Sequence, residues 1–287
     1  MALGKNTQET VKGGMGKNSR IEWTHHTFNP WWGCTKVSAA CKHCYAESWS
    51  KRVGQRVWGA RAKRRFFSDT HWREPIRWNE QACEEGMRYR VFCASMADVF
   101  EDRRDLDVWR DKLWELIALT PQLDWLLLTK RPELVAKLVP WRDTWPQNVW
   151  LGTTVEDQAS VTRLAHLSRL PAVVRFISAE PLLGPLDIRP WLETTIDWVI
   201  TGGESGPKAR PSSPSWFMGL LDQCKAAQVP FHFKQWGDWA PGVNKKTAGS
   251  KGVEVADGTV MLRLGKKAAG RVLDGAMWDG LPETIAA

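Results

Sequence analysis

The chain has 287 residues, of which 43% are apolar, and its formal net charge is +8 at pH 7. This length and apolar fraction suit one or two globular domains. No run approaches the ~20 apolar residues that cross a bilayer, and the polar N-terminus lacks a signal-peptide core, so we expect a cytoplasmic protein without a membrane partner. Six cysteines are too few for a disulfide scaffold in a chain of this size.

In chain order, residues 1–19 are polar and non-periodic, which predicts a flexible tail. A first short strand is expected near residues 21–23. Continuous apolar, β-rich runs then predict strands that are buried on both faces, at 90–95, 125–129, 149–155, 173–178, 198–203 and 230–235. Helical periodicity appears between them, in 105–119 and again in 214–227, where Phe217, Leu220, Leu221 and Cys224 share a face.

The recurrence of strand and helix predicts an α/β fold, specifically a full or partial β/α barrel of the TIM-like type over residues 20–239. A flat doubly wound sheet is the alternative, because strand order is invisible in the sequence. Residues 240–287 differ in composition. They begin with a basic loop and continue with "VEVADGTVMLRL", which predicts a hairpin that turns at Asp257 and Gly258. We expect this part to be a small C-terminal appendage.

Active sites of parallel β/α folds gather at the carboxyl ends of the strands. Polar side chains mark the predicted ends here, and as a set they indicate a site, although a single polar loop residue would carry no such inference. The residues concerned are Ser95, Asp98, Thr129, Lys130, Arg131, Thr153, Glu156, Ser178, Glu180, Gly203, Glu204, Lys234 and Gln235. Among them we expect Lys130, Glu180 and Lys234 to be catalytic.

Three cysteines lie within eleven positions in "NPWWGCTKVSAACKHCYAE", with the spacing C-x6-C-x2-C. Cys34, Cys41 and Cys44 would follow the first strand and precede a helix that starts in "CYAESWSKRV". Such a cluster predicts a metal centre, either zinc with a histidine as fourth ligand or an iron–sulfur cluster with one open iron. The histidines available to zinc are His25, His26 and His43. The other three cysteines are explained as ordinary packing residues.

Three cysteines after the first strand of a β/α barrel resemble those of the radical S-adenosylmethionine (SAM) enzymes, in which the usual spacing is C-x3-C-x2-C. The resemblance implies a [4Fe-4S] cluster on Cys34, Cys41 and Cys44, SAM at the open iron, and an external electron donor whose electron cleaves SAM to a 5′-deoxyadenosyl radical. The Gly-Gly-Glu sequence at 202–204 also resembles the SAM-amine motif, although a tight turn explains its glycines equally well. The implied cofactor contacts are His43, Tyr45, Gly202, Gly203 and Glu204.

Six ordered segments also resemble the phage-encoded three-cysteine-motif family, which is regarded as radical-SAM-like. They are "IEWTHHTFNPWWGCTKVSAACKHCYAE", "SMADVFED", "LLLTKRP", "RFISAEPLLGP", "WVITGGESG" and "FHFKQWGDW". This resemblance implies a bacteriophage protein in the host cytoplasm. It also favours a DNA or nucleotide substrate, such as a hypermodified pyrimidine of phage DNA.

Residues 51–78 carry nine Lys or Arg against two acidic residues, interleaved with Trp and Phe. This composition predicts phosphate contacts and base stacking, although a solvated basic loop has the same composition. The expected phosphate contacts are Arg61, Lys63, Arg64 and Arg65. Two other functions remain open: a non-catalytic nucleic-acid-binding module stapled by zinc or a cluster, and a radical enzyme that acts on a peptide or small metabolite.

Overall fold

The computed structural model describes residues 19, 21–141, 144–242 and 252–283. The predicted N-terminal tail, apart from Ser19, lies outside the described residues, as does most of the predicted basic loop. Within the described ranges, no helix is long and apolar enough to cross a membrane.

The described strands are β1 (His26–Thr27), β2 (Trp31–Trp32), β3 (Arg65–Phe66), β4 (Tyr89–Cys93), β5 (Leu123–Thr129), β6 (Val149–Thr154), β7 (Val174–Ala179), β8 (Trp198–Gly202), β9 (Phe231–Gln235), β10 (Trp239–Pro241), β11 (Val253–Glu254) and β12 (Val260–Arg263). The described α-helices are α1 (Tyr45–Arg52), α2 (Asp69–Trp72), α3 (Glu74–Glu84), α4 (Asp107–Leu119), α5 (Val135–Leu138), α6 (Leu164–Leu167), α7 (Arg189–Leu192), α8 (Pro214–Ala226) and α9 (Lys266–Ala269). Short 3-10 helices occupy Ala39–His43, Arg104–Leu106, Pro132–Leu134 and Gln158–Arg163.

The main sheet has seven strands in the order β1-β4-β5-β6-β7-β8-β9, and every neighbouring pair is parallel. Order in space therefore follows order in the chain. A doubly wound sheet reverses its strand order at a switch point, so that alternative is excluded. The β2–β3 pair forms a separate antiparallel sheet.

The inner face of the main sheet shows that the sheet curls. Its apolar side chains come from Trp23, just before β1, and from successive strands, namely Phe92, Leu126, Trp150, Val174, Phe176, Trp198 and Ile200. Trp23, just before β1, packs against Trp198 of β8 with ring centroids 6.1 Å apart. In a flat sheet these two strands would be separated by roughly 24 Å, five strand spacings. Among the described residues β1 does not pair with β9, so the predicted β/α barrel is confirmed in its partial form.

The outer face of the sheet packs under helices, as the periodicity predicted. Phe217 and Leu221 of α8 are fully buried together with Phe233 of β9. Leu113 and Ile117 of α4 are buried in the same cluster. Burial on both faces is what makes the strands read as continuous apolar runs in the sequence.

The prediction of the first strand near 21–23 was wrong by several residues. The backbone amide of Thr24 bonds to the carbonyl of Ile21 at 3.1 Å, which closes a turn there. The strand starts only at His26. Trp23 is nonetheless 1% exposed, because its ring fills the inside of the barrel. An apolar residue in a turn was therefore mistaken for a strand residue.

The predicted C-terminal hairpin is present. β11 and β12 pair antiparallel, and Gly258, with φ of 79°, supplies the left-handed turn position. β12 also pairs with β10. Further along, the amide of Phe233 donates to the carbonyl of Trp278 at 2.8 Å. The C-terminal residues are thus hydrogen-bonded to the barrel, and a domain boundary at 239/240 stays a prediction.

The buried imidazole of His232 on β9 predicts an acid-sensitive fold. Burial lowers its pKa to about 4, Asp279 opposes this shift, and Arg271 and Lys234 add to it. Unfolding restores the ordinary pKa of 6.5, so between pH 6.5 and 4 the unfolded chain binds the extra proton. The stabilisation is complete above pH 6.5 and falls, by about 3 kcal/mol at most, as the pH drops to 4.

Urea unfolding of wild type and His232→Gln from pH 4 to 7.5 measures this effect as a difference between two curves. We expect the free energy of unfolding to decrease more on acidification for wild type than for the variant. Parallel curves would show that His232 does not titrate on unfolding.

Candidate functional site

A cavity of about 500 Å³ opens at the carboxyl edge of the main sheet, within the range of small-molecule sites. It is lined by all three motif cysteines and by most of the other predicted site residues. Those residues are Cys34, Cys41, His43, Cys44, Tyr45, Lys130, Glu180, Gly203, Glu204 and Lys234. The fold thus collects side chains from both ends of the barrel sequence, and their chemical roles stay predictions.

The cysteine loop runs from β2 to α1. Cys34 follows Gly33, Cys41 lies in the 3-10 helix Ala39–His43, and Cys44 precedes the first residue of α1. Gly33 has φ of +119°, and a Cβ atom there would lie 2.3 Å from the carbonyl oxygen of Val57. Only glycine fits where these two loops cross, so this residue fixes where Cys34 enters the cavity.

Arg131 binds the loop beside Cys34. Its guanidinium donates to the Asp98 carboxylate at 2.7 Å and to the Thr35 carbonyl at 2.6 Å, and Nη1 lies 3.9 Å from the Cys34 sulfur. Burial raises the pKa of the Cys34 thiol to about 12, Asp98 adds to this shift and Arg131 opposes it. Without a metal the group is therefore a thiol, and a metal would have to displace its proton.

The Arg64–Glu101 pair lies behind this loop. Arg64 bonds to both carboxylate oxygens of Glu101, at 2.7 and 3.1 Å, and the two side chains are 0% and 5% exposed. Nη1 of Arg64 also donates to the carbonyls of Val57 and Gly59. Thr35 donates its hydroxyl to Glu101 at 2.5 Å. The pair therefore joins the Cys34 loop to the segment around residue 58.

This burial corrects one prediction. Arg64 was expected to contact phosphate, but its guanidinium is buried and bonded within the protein. The other three predicted phosphate contacts, Arg61, Lys63 and Arg65, are exposed. Arg65 lies over the Trp32 ring, 4.5 Å from its centroid. Whether these three bind phosphate stays a prediction.

Lys234 and Glu180 face each other across the polar side of the cavity, with Nζ and Oε1 3.0 Å apart. A Cβ atom at Gly202 would lie 2.8 Å from the same Glu180 oxygen, so glycine admits the carboxylate here. In the described part of the chain, the ammonium of Lys130 has no hydrogen bond or ion pair. Burial raises the pKa of the Cys44 thiol, and the charge of Lys130 opposes that shift. Of these two cavity-lining ammonium groups, that of Lys234 is paired, and that of Lys130 is unpaired among the described residues.

Glu204 is not a free carboxylate. Arg210 donates to it from Nε at 2.8 Å and Nη2 at 2.6 Å, and Nδ1 of His43 lies 3.4 Å away. Burial alone would raise the pKa of Glu204, but Arg210 and His43 outweigh it and the pKa is lowered. A Cβ atom at Gly203 would lie 1.9 Å from the Trp236 carbonyl oxygen, so this glycine has a packing role. Sequence reasoning missed Arg210, because its position depends on how the loop folds back.

The candidate zinc ligands are scattered. Nδ1 of His25 accepts the Arg90 amide at 2.8 Å, and His26 stacks on Trp78 of α3. Neither lines the cavity, so the structure contradicts these two as fourth ligands; His43 does line it. Within the described ranges, no group of three or more His, Cys, Asp or Glu side chains is arranged to hold a metal ion.

The fold and this cavity define a partial parallel β/α barrel with a three-cysteine loop at its carboxyl edge. The chain belongs to the family described as protein of unknown function (DUF5131), whose sequence profile matches residues 18–282. The resemblance to phage-encoded three-cysteine-motif proteins is a finer statement and stays a prediction.

Solved structures similar to this chain include spore photoproduct lyase. A double mutant with bound AdoMet and dinucleoside spore photoproduct is 10% identical, with a TM-score of 0.45 over 86% of this chain and 70% of that chain. A single-site mutant is 10% identical, with a TM-score of 0.47 over 88% and 72%. A complex with dinucleoside spore photoproduct is 11% identical, with a TM-score of 0.45 over 88% and 72%. No curated protein matches the sequence.

The Arg64–Glu101 pair predicts a large stability difference between adjacent residues. Arg64→Ala leaves the Glu101 carboxylate buried without its partner and should lower the free energy of unfolding by about 3 to 5 kcal/mol. Lys63→Ala removes the same charge from an exposed neighbour and should change it by less than about 0.5 kcal/mol. Urea unfolding at pH 7 compares the two variants, and equal losses would contradict the buried pair.

Proposed function

We propose that this protein is a radical-SAM-like iron–sulfur enzyme that modifies a nucleic-acid base or a nucleotide. The observation that carries the proposal is the single cavity in which three thiols face an array of ammonium and carboxylate groups. Thiolates are the ligands that iron–sulfur clusters use, and strand-end polar groups of parallel barrels are where catalysis takes place.

The donor set fits a cluster better than a single ion. In a cubane cluster each thiolate bonds a different iron atom, so Cys34, Cys41 and Cys44 need to line one wall rather than converge on one point. They would hold three of the irons, and SAM would complete the coordination of the fourth. When bound and reduced, the cluster and SAM together supply a 5′-deoxyadenosyl radical, with the electron from an external donor.

The chain's own residues bind and orient around that group. Arg131 holds the Cys34 backbone through Thr35 and places a positive charge near the sulfur. Lys130 offers an unpaired ammonium to a carboxylate or phosphate. Glu180 and Lys234 offer an acceptor and donors at 3.0 Å from each other, which matches the hydrogen-bonding edge of a base. We assign the catalytic role to these three residues on that basis.

Glu204 has a less direct role in the proposal. Its carboxylate is bound by Arg210 and lies beside His43, which is next to Cys44 in the chain. Glu204 therefore fixes His43 at the wall of the cavity. Gly202, at the end of β8, and Gly203, just after it, allow the backbone to approach Glu180 and Trp236 closely. Tyr45, 58% exposed and hydrogen-bonded to the Ser95 carbonyl, stands at the cavity mouth. These residues form the wall that we assign to SAM.

The positive charge of exposed side chains supports the proposal of a polyanionic substrate. Arg61, Lys63 and Arg65 are exposed in a stretch of nine cations, and such side chains bind phosphates by releasing counterions. A modified pyrimidine of phage DNA is the substrate we favour, from the family resemblance, in the cytoplasm of the host.

The cluster assignment predicts metal content. Protein purified without oxygen should contain about four irons and four sulfides per chain, and the triple variant Cys34→Ala/Cys41→Ala/Cys44→Ala should contain neither. Cys83→Ala is the matched control, because Cys83 is an exposed cysteine outside the cavity, and it should keep the full complement. Iron and sulfide analysis measures this, and stoichiometric zinc without iron would refute the assignment.

The SAM assignment is tested on the same samples. SAM should change the electron paramagnetic resonance spectrum of the reduced cluster, and dithionite should release 5′-deoxyadenosine in wild type and Cys83→Ala only. A spectrum that saturating SAM leaves unchanged would reject SAM while leaving the cluster in place.

The nucleic-acid assignment predicts a salt effect. The triple variant Arg61→Ala/Lys63→Ala/Arg65→Ala should bind DNA more weakly than wild type and with a salt slope about 2 to 3 units shallower, since three phosphate contacts are lost. A triple variant of Lys137, Arg169 and Arg189 removes the same charge elsewhere and should keep the wild-type slope. Fluorescence anisotropy at several salt concentrations measures both. Identical slopes for the two variants would show that the stretch does not bind phosphate.

A further inference from the structure

A second groove of about 470 Å³ adjoins the main cavity. It is lined by α1 and the loop that follows, including Lys51, Arg56 and Trp58. Trp58 lines the main cavity as well, so this residue is common to the two linings. None of the roles assigned above uses this groove.

The backbone around Trp58 is held on both sides. Arg64 donates to the carbonyls of Val57 at 2.8 Å and Gly59 at 3.1 Å, the two residues that flank Trp58. The amide of Gly59 donates to the Cys34 carbonyl at 2.9 Å. The backbone on both sides of Trp58 is therefore held by the same buried pair that holds the cysteine loop.

The charge of the groove is positive. Its carboxylate, Glu47, is bound by both Lys51 and Lys36, each at 2.6 Å. Arg56 is exposed and has no hydrogen bond or ion pair among the described residues, and Arg52 at the end of α1 is exposed as well. An aromatic ring beside an unpaired cation, here Arg56, is a combination that binds a base and its phosphate.

We propose that this groove is a subsite for a second nucleotide, adjacent in the strand to the nucleotide in the main cavity. Its base stacks on Trp58, and Arg56 and Lys51 bind the phosphate that joins the two nucleotides. The inference rests on the proposed nucleic-acid substrate and narrows it: the substrate is a single-stranded or locally unpaired polynucleotide, not a mononucleotide.

The test compares a dinucleotide with a mononucleotide as competitors of a fluorescein-labelled single-stranded DNA, with the protein purified without oxygen. Wild type should bind the dinucleotide at least tenfold more tightly. Trp58→Ala should weaken dinucleotide binding by roughly 5- to 150-fold, the effect of removing one stacking ring. The ratio of the affinities for dinucleotide and mononucleotide should then be close to one. Trp58→Phe should keep most of the preference, because it keeps a stacking face.

Arg56→Ala tests the phosphate contact separately, on an exposed residue whose loss leaves the fold intact. It should lower the preference for the dinucleotide and flatten the salt slope for single-stranded DNA by about 0.7 units. Arg169→Ala is the matched control. It removes one exposed charge from the loop before β7, at the opposite edge of the sheet, and should change neither quantity.

The outcomes separate this inference from the proposed function. Equal affinity of wild type for the two competitors, or a ratio that Trp58→Ala and Arg56→Ala leave unchanged, overturns the subsite while the iron and SAM results stand. If Trp58→Ala does not fold, by circular dichroism, a wild-type-like ratio in Arg56→Ala overturns it. Absence of any nucleotide or DNA binding at low salt overturns the subsite together with the nucleic-acid substrate.

Discussion

The buried ion pair between Arg64 and Glu101 is the interaction that supports both the Cys34 loop and the segment around Trp58. Its side chains are 0% and 5% exposed. The loss of hydration of two buried charges offsets much of their attraction, so such a pair is weak evidence for stability. Its effect here is positional: through Thr35 it holds the Cys34 loop, and through the carbonyls of Val57 and Gly59 it holds Trp58. The loop that follows β2 and the segment that precedes β3 thereby share one buried support.

The partial barrel supplies the other constraint, because sequential parallel strands bring all their carboxyl ends around one opening. The aromatic side chains that fill the barrel interior form the floor of that opening, and Trp23 and Phe92 belong both to the inner cluster and to the cavity lining. These apolar side chains exclude water from the barrel side of the cavity. Charges above them, such as those of Glu180 and Lys234, therefore interact more strongly than they would in bulk water.

The parts that were predictable from the sequence follow from local patterns. The strands from β4 to β9 appear as apolar runs because both faces are covered, and α8 appears because one of its faces is buried. Patterns of composition do not report burial of a single charged residue, so Arg64 was grouped with its exposed neighbours Arg61 and Lys63. The Arg210–Glu204 pair was missed for a related reason: it is created by a loop that folds back over six residues, and no periodicity marks such a contact.

The shared support has a consequence for the kind of chemistry that the site can perform. In the reaction we propose, a reactive species formed next to the cysteine loop would act on a substrate atom only if the distance between them is defined, because displacements near 1 Å reduce rates severely. The Gly59 amide bonds directly to the Cys34 carbonyl, so the backbone segments that carry Trp58 and Cys34 belong to one hydrogen-bonded unit. If the two loops had separate supports, each would vary independently in position. A common support instead ties the position of Trp58, on which we propose that a base stacks, to the position of the cysteine loop, which is what a supporting shell must provide for a preorganised site.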